Sequence, residues 1–235
     1  MNLRPGKLTR KTIAGAVTAV LICAMLCATL CACGGQGGPT EKDARNYVQA
    51  LLDLTCTGSY NKSVKLSELD KEEELQVRDS AINNLYSSAI EEARLREDVQ
   101  AQFRDFLTKA GQKCRYTVTD AVKTGDEDDI SYDVTVSIEP LKAFAGASDI
   151  LDREMKKMEN DTGTLINTDP DEIYSTVFST VFENLTAGLD DPTYEPAESI
   201  TVHYCLIDPA KGLYGVNQED CRRMGEKLFS LDGLE

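Results

Sequence analysis

Tryptophan is absent from this chain of 235 residues, and histidine occurs once, at position 203. With one imidazole, any nucleophile or general acid–base scheme built on histidine has to use His203. Basic residues are scarce: 25 Lys and Arg stand against 40 Asp and Glu, a formal charge of −15. A nucleic-acid partner demands Lys and Arg to neutralise its phosphates, so that class of ligand is excluded. No CxxC spacing supports a metal site, and neither a GxGxxG fingerprint nor a phosphate loop supports a nucleotide cofactor. Nothing resembles a nucleophile elbow or a triad order. No period of 20–50 residues recurs, which sets solenoids aside. Aromatic residues are few, 6% of the chain, and fall on the apolar faces of the expected elements, where they serve a core. The reading is of a protein with no catalysis, no metal and no cofactor. Long apolar runs are also lacking, with one exception.

That exception is Ile13 to Ala32, 20 residues that are almost wholly apolar, preceded by Arg4, Lys7, Arg10 and Lys11 with no acid among them. A basic start, an apolar run and small residues after it form the three-part export pattern. The run exceeds the 7–15 residues of a signal core and is long enough to cross a bilayer, so an uncleaved helix is the alternative. Its end decides between them. Leu30, Cys31, Ala32 and Cys33 form a sequence that resembles the lipobox of bacterial lipoproteins: an aliphatic residue, a variable one, a small one and a cysteine. The resemblance implies that the Cys33 thiol takes a diacylglycerol and that residues 1–32 are cut away. The partner at this end is then the cell membrane, reached through lipid on its extracytoplasmic side. Attachment needs two or more acyl chains, since one holds only marginally. Residues 33–40, with Gly34, Gly35, Gly37 and Gly38, read as a short flexible tether. Residues 41–235 remain as one domain, and loss of the four basic residues takes the charge from −15 to −19.

Four of the eight cysteines lie beyond Cys33: Cys56, Cys114, Cys205 and Cys221. An even number in an exported domain favours disulfides, and four cysteines allow three pairings. The expected pairs are Cys56–Cys114 and Cys205–Cys221, because the second joins a strand to the helix immediately after it.

Thr40 and Asp43 stand three residues apart, as in a capping box, ahead of a helix over 41–57 that Gly58 ends. Apolar spacing of 3–4 residues predicts further helices over 70–93 and 96–110, with Gly111 as the C-terminal cap of the latter. The period then changes to two. Cys114, Tyr116, Val118 and Val122 form the inward face of one strand, and Tyr132, Val134, Val136 and Ile138 that of the next, with an acidic turn between them. That turn, Asp126 to Asp129, lacks the spacing of a calcium loop and reads as solvated surface. Helices are predicted over 144–160 and 170–188, the second with Pro170 in its first turn. A strand over 199–207, a short strand over 213–216 and a helix over 218–229 complete the chain.

Helices followed by an antiparallel sheet read as α+β: N-terminal helices on a sheet of three to four strands, with a helical pair inserted between the second and third. The segments AxxYVQALLDLTCTGSY (from Ala44) and DPAKGLYGVNQEDCRRMGEKLF (from Asp208) resemble uncharacterised lipoproteins of Gram-positive bacteria whose exported domain is similar to the cystatin/NTF2-type roll. The resemblance implies a fold and no activity. The leading expectation is a non-enzymatic envelope lipoprotein that binds a partner protein or small ligand. An envelope enzyme would instead require a deep concave site with Asp133, a tyrosine and His203 convergent in it. A structural or assembly accessory would present a flat apolar patch.

Overall fold

Helix α1, Glu41–Thr57, is apolar over far more than one stripe: Ala44, Tyr47, Val48, Ala50, Leu51, Leu52, Leu54 and Cys56 are all buried. A helix apolar on most of its circumference must be covered from more than one side, and the fold does this. In a computed structural model, which describes residues 32–33, 38–61, 64, 66, 72–73, 75–76, 79, 95–126, 130–160, 169–230 and 232, α1 packs against a sheet on one side and against helix α2, Glu97–Gln112, on another. The capping box closes as the sequence predicts: Asp43 N–H donates to Thr40 Oγ1 at 3.3 Å, and Thr40 N–H donates to Asp43 Oδ2 at 2.9 Å. Gly58 ends the helix at φ +69°, a conformation that glycine adopts without strain.

The sheet is antiparallel, with strand order β1-β5-β4-β3-β2. It consists of β2 (Arg115–Lys123), β3 (Tyr132–Glu139), β4 (Glu198–Asp208) and β5 (Leu213–Val216), with the two-residue β1 (Ala32–Cys33) at its edge. The expected helical pair is present between β3 and β4, as α3 (Ala147–Asn160) and α4 (Pro170–Gly188), and α5 (Gln218–Leu228) closes the chain. Val134, Val136 and Ile138 of β3 and Val202 and Tyr204 of β4 point inward, and Tyr47 of α1 meets Tyr204 at 5.2 Å between ring centroids. A second aromatic seam holds the helical layer: Phe103 of α2 lies 5.0 Å from Phe182 of α4, and Phe106 lies 5.4 Å edge-on from Phe144.

Two expectations are corrected. Strand β2 carries a bulge between Val118 and Asp120. The extra residue reverses the facing of the positions beyond it, so Ala121 is buried whereas Val122, expected inward, is 55% exposed. Gly111 does not cap α2: the helix continues through Gln112, and Lys113 is its C-cap in right-handed geometry. Glycine stands there for another reason, since a Cβ would lie 2.5 Å from the Cys56 carbonyl oxygen. The residue lets the end of α2 touch the end of α1. Of the helix expected over 70–93, only Glu72, Glu73, Leu75, Gln76 and Asp79 are described, all helical; the rest lies outside the described residues, as do 127–129 of the acidic turn and most of the run from Ile13. Among the described residues no helix is long and apolar enough to cross a membrane.

Two substitutions test this packing. Gly111→Ala gains about 1 kcal/mol of helix propensity but drives a methyl group into backbone. A net loss of about 1–3 kcal/mol in chemical denaturation is expected. Leu51→Ala, in the fully covered middle of α1, should cost about 2–5 kcal/mol by the same measurement.

Candidate functional site

The sheet has two unlike faces. The inner one is filled by α1; the outer one bears Thr117, Thr135, Ser137, Ser199 and Thr201, and at one end His203 beside Asp133. Register places these last two directly opposite each other on β4 and β3, and His203 Nδ1 pairs with an Asp133 carboxylate oxygen. The sequence-predicted pair therefore does come together. It does so on an open strand face, with His203 54% exposed at its side chain.

Sequence reasoning missed Asp220. Strand β5 is too short to cover β4 beyond Tyr204, so among the described residues the β4 edge at His203 and Thr201 lacks a strand partner on that side. Helix α5 takes over. Asp220 Oδ2 accepts from the His203 backbone N–H at 2.8 Å, and Arg223 donates to the Thr201 carbonyl at 2.6 Å. Asp220 is buried; its backbone N–H donates to the N-cap Asn217 Oδ1 at 2.9 Å, and its carboxylate accepts from Asn217 Nδ2 at 3.0 Å and pairs with Arg223 at 3.0 Å. This is edge protection by side chains rather than a reactive carboxylate. The signal in the sequence was Asn217 three residues before Asp220, a capping pattern with no hint of the strand it also serves.

All four cysteines of the domain are thiols, so the expected disulfides are not formed. Cys56 and Cys114 do meet: a hydrogen bond between the two, in which the Cys114 thiol keeps its proton, together with burial, pushes Cys114 well above its usual range. No disulfide joins the second expected pair, Cys205 and Cys221. The buried Cys221 thiol donates to the Val216 carbonyl at 3.8 Å, and burial pushes it up to about 12, helped by Asp220.

A cleft of about 460 Å³ lies elsewhere, between the C-terminal halves of α2 and α4. Phe182 and Leu189, both buried, supply its apolar lining, and Gln102, Asp105, Glu183 and Asp190 its polar one. Gln102 Oε1 is buried without a hydrogen-bond partner, a state that costs about 1–3 kcal/mol. Neither Asp133 nor His203 reaches this cleft. No sequence motif marks it, because its residues come from two helices far apart in the chain. A flat apolar patch is not seen among the described residues either, where Val122 is the exposed large hydrophobic side chain.

No protein-family model matches the sequence, and no curated protein does. The fold is similar to the crystal structure of a protein described as a lipoprotein, YcdA of Bacillus subtilis, with a TM-score of 0.52 and 13% identity over 80% of this chain. This chain spans 56% of that protein's length.

Asp220→Ala should lower stability by about 2–3 kcal/mol in urea unfolding, since it strands the His203 N–H and the Arg223 charge. His203→Ala, at an exposed ion pair, should change it by under about 0.5 kcal/mol. Under native conditions at pH 8, mass spectrometry should find Cys221 unalkylated by iodoacetamide until denaturant is added. The folded Cys221 value lies above the unfolded one, near 9. Its contribution to stability is complete below pH 9 and lost towards pH 12, so the thermal midpoint should fall over that window and fall less in Cys221→Ala.

Proposed function

We propose that this chain is a membrane-anchored cell-envelope lipoprotein, held on the extracytoplasmic face by lipid on Cys33, whose α+β domain serves as a binding module for a small ligand or partner and not as an enzyme. The observation that carries the reading is the lipobox-like Leu30 to Cys33 at the end of a basic and then apolar N-terminus. The fold likeness to a protein described as a lipoprotein supports it. A helix lying across the inner side of an antiparallel meander supports the cystatin/NTF2-type roll.

The junction between anchor and domain agrees with a short leash. Gly38, Pro39 and Thr40, the last residues of the expected tether, belong to the fold: the buried Tyr132 hydroxyl donates to the Pro39 carbonyl at 2.9 Å, and a Cβ on Gly38 would strike Ile130 at 2.3 Å. Cutting before Cys33 removes Ala32 and its pairing with Tyr214, leaving Cys33 to pair with Leu213 at the sheet edge. What supports the binding role is a cleft between α2 and α4 that the chain's one imidazole, on the open sheet face, does not reach.

Intact mass of the membrane-extracted protein tests the anchor. A species that begins at Cys33 and carries acyl chains is expected, and Cys33→Ala should release the domain from the membrane fraction. A mass retaining Met1 would overturn the lipid anchor in favour of an uncleaved helix. Turnover in a hydrolase screen that is lost in His203→Ala would overturn the binding role.

A further inference from the structure

Cys56 and Cys114 meet where α1, α2 and β2 come together. Cys56 stands in the last turn of α1, and Cys114 lies between the C-cap of α2 and the first residue of β2. Several contacts fix the two positions. At Gly111 the backbones approach closely: a Cβ there would lie 2.5 Å from the Cys56 carbonyl oxygen and 3.6 Å from the Cys56 Cα. The Cys114 backbone N–H donates to the Gly111 carbonyl at 3.1 Å, and its thiol turns back over the same helix end to the Ala110 carbonyl at 3.7 Å. One helical turn before Cys56 and two strand residues after Cys114, the Tyr116 hydroxyl donates to Asp53 Oδ1 at 2.9 Å, a second rung between α1 and β2. Gln49 Nε2 donates to the same oxygen at 2.8 Å. A disulfide needs Cα atoms no more than about 7 Å apart, and glycine at 111, one turn before Cys114, is the residue that permits such an approach.

We propose that Cys56 and Cys114 are a disulfide-forming pair, present in this structure as the dithiol, which closes into a staple between α1 and the α2–β2 junction when the chain meets a disulfide oxidant. The half-buried Cys114 is the sulfur that such an oxidant reaches first, since Cys56 is buried. The Cys114 thiol loses its proton, and its thiolate attacks one sulfur of the oxidant, giving a mixed disulfide and releasing a first thiol. The Cys56 sulfur, deprotonated in turn, attacks the Cys114 sulfur and expels the second thiol. The pair gives up two protons and two electrons, and the oxidant leaves as two thiols.

The surroundings fit a structural bond and not a redox catalyst. Catalytic dithiols stand at helix N-termini or beside cations that stabilise a thiolate. Cys56 and Cys114 stand at C-terminal helix ends, and the Cys114 proton is held by its neighbour and by burial, well above the ordinary thiol range. A bond between them closes residues 56–114 into one loop with α2 inside it, and so fixes α2 against α1, the helix it covers. Such a bond removes entropy from the unfolded chain, more so for a long loop. Cys221 has no like arrangement: its thiol is engaged by the Val216 carbonyl, and burial and Asp220 raise it rather than a second sulfur.

Reduced full-length chain in detergent micelles, treated with glutathione disulfide, then unfolded, alkylated with iodoacetamide and mapped without reduction, tests the pair. A peptide joining Cys56 to Cys114, lighter by two hydrogen atoms than its dithiol parts, is expected, with Cys221 alkylated. The thermal midpoint should rise by about 5–10 °C on closure, a rise lost in Cys56→Ala and in Cys114→Ser and kept in Cys205→Ser. The map of the unsubstituted chain needs no variant to fold. Glutathione adducts or free thiols at both positions in place of the linked peptide, or a Cys205–Cys221 link formed in preference, would overturn the pair. Alkylation in intact cells before extraction adds a second arm, which alone rests on the export proposed above, because such bonds persist in an oxidising compartment. The linked peptide is expected there too. Linkage in the purified protein with thiols in cells supports the pair and counts against export. No linkage in either overturns the pair and leaves the Cys33 anchor to its own test.

Discussion

The burial of α1 on two sides is the constraint on which the rest of the structure depends. Eight of its residues are buried, and each large apolar side chain taken fully from water is worth about 1.5–3 kcal/mol. No single layer can cover so wide an apolar surface. The sheet supplies one wall and α2 another, and α2 in turn is flanked by α4, which packs on α3. The helical pair inserted between β3 and β4 is therefore the outer half of the shell around α1.

Covering α1 in this way determines where function can sit. The inner face of the sheet is taken up by Tyr47 and its neighbours against Tyr204. The outer face stays open and hydroxyl-rich, which makes it a poor place to exclude water around His203 and Asp133. A cleft is left between α2 and α4 beside the Phe103–Phe182 contact. The ends of the molecule are also given roles by α1. Its N-terminus is tied to the tether through Thr40 and Pro39, and its C-terminus to α2 through Gly111.

Charge obeys the same division. The acidic excess lies largely on exposed residues, where it keeps the domain soluble and discourages anionic polymers. The few buried polar contacts fasten the ends of secondary elements. Asp220 closes the β4 edge, Asp53 accepts from Tyr116 at 2.9 Å, and the half-buried Lys142 bridges to Glu195 at 2.8 Å where the segment after β3 runs beside the one before β4.

Periodicity and capping were enough to determine the elements: the Thr40–Asp43 box, the Gly58 stop, Pro170 at the head of α4, and the alternation of β3 and β4 are local patterns whose physics acts within a few residues. The basic and then apolar start and the lipobox-like cysteine are equally local. Only the tertiary structure decided the rest, because it turns on contacts between distant segments. The bulge at Thr119, which turns Val122 outward, is a matter of register against β3. Gly111 reads alike as a helix stop or a close approach until Cys56 is placed beside it. The second duty of Asp220 requires a strand that ends too soon. The cleft has no sequence signature at all, since its lining comes from two amphipathic helices far apart in the chain.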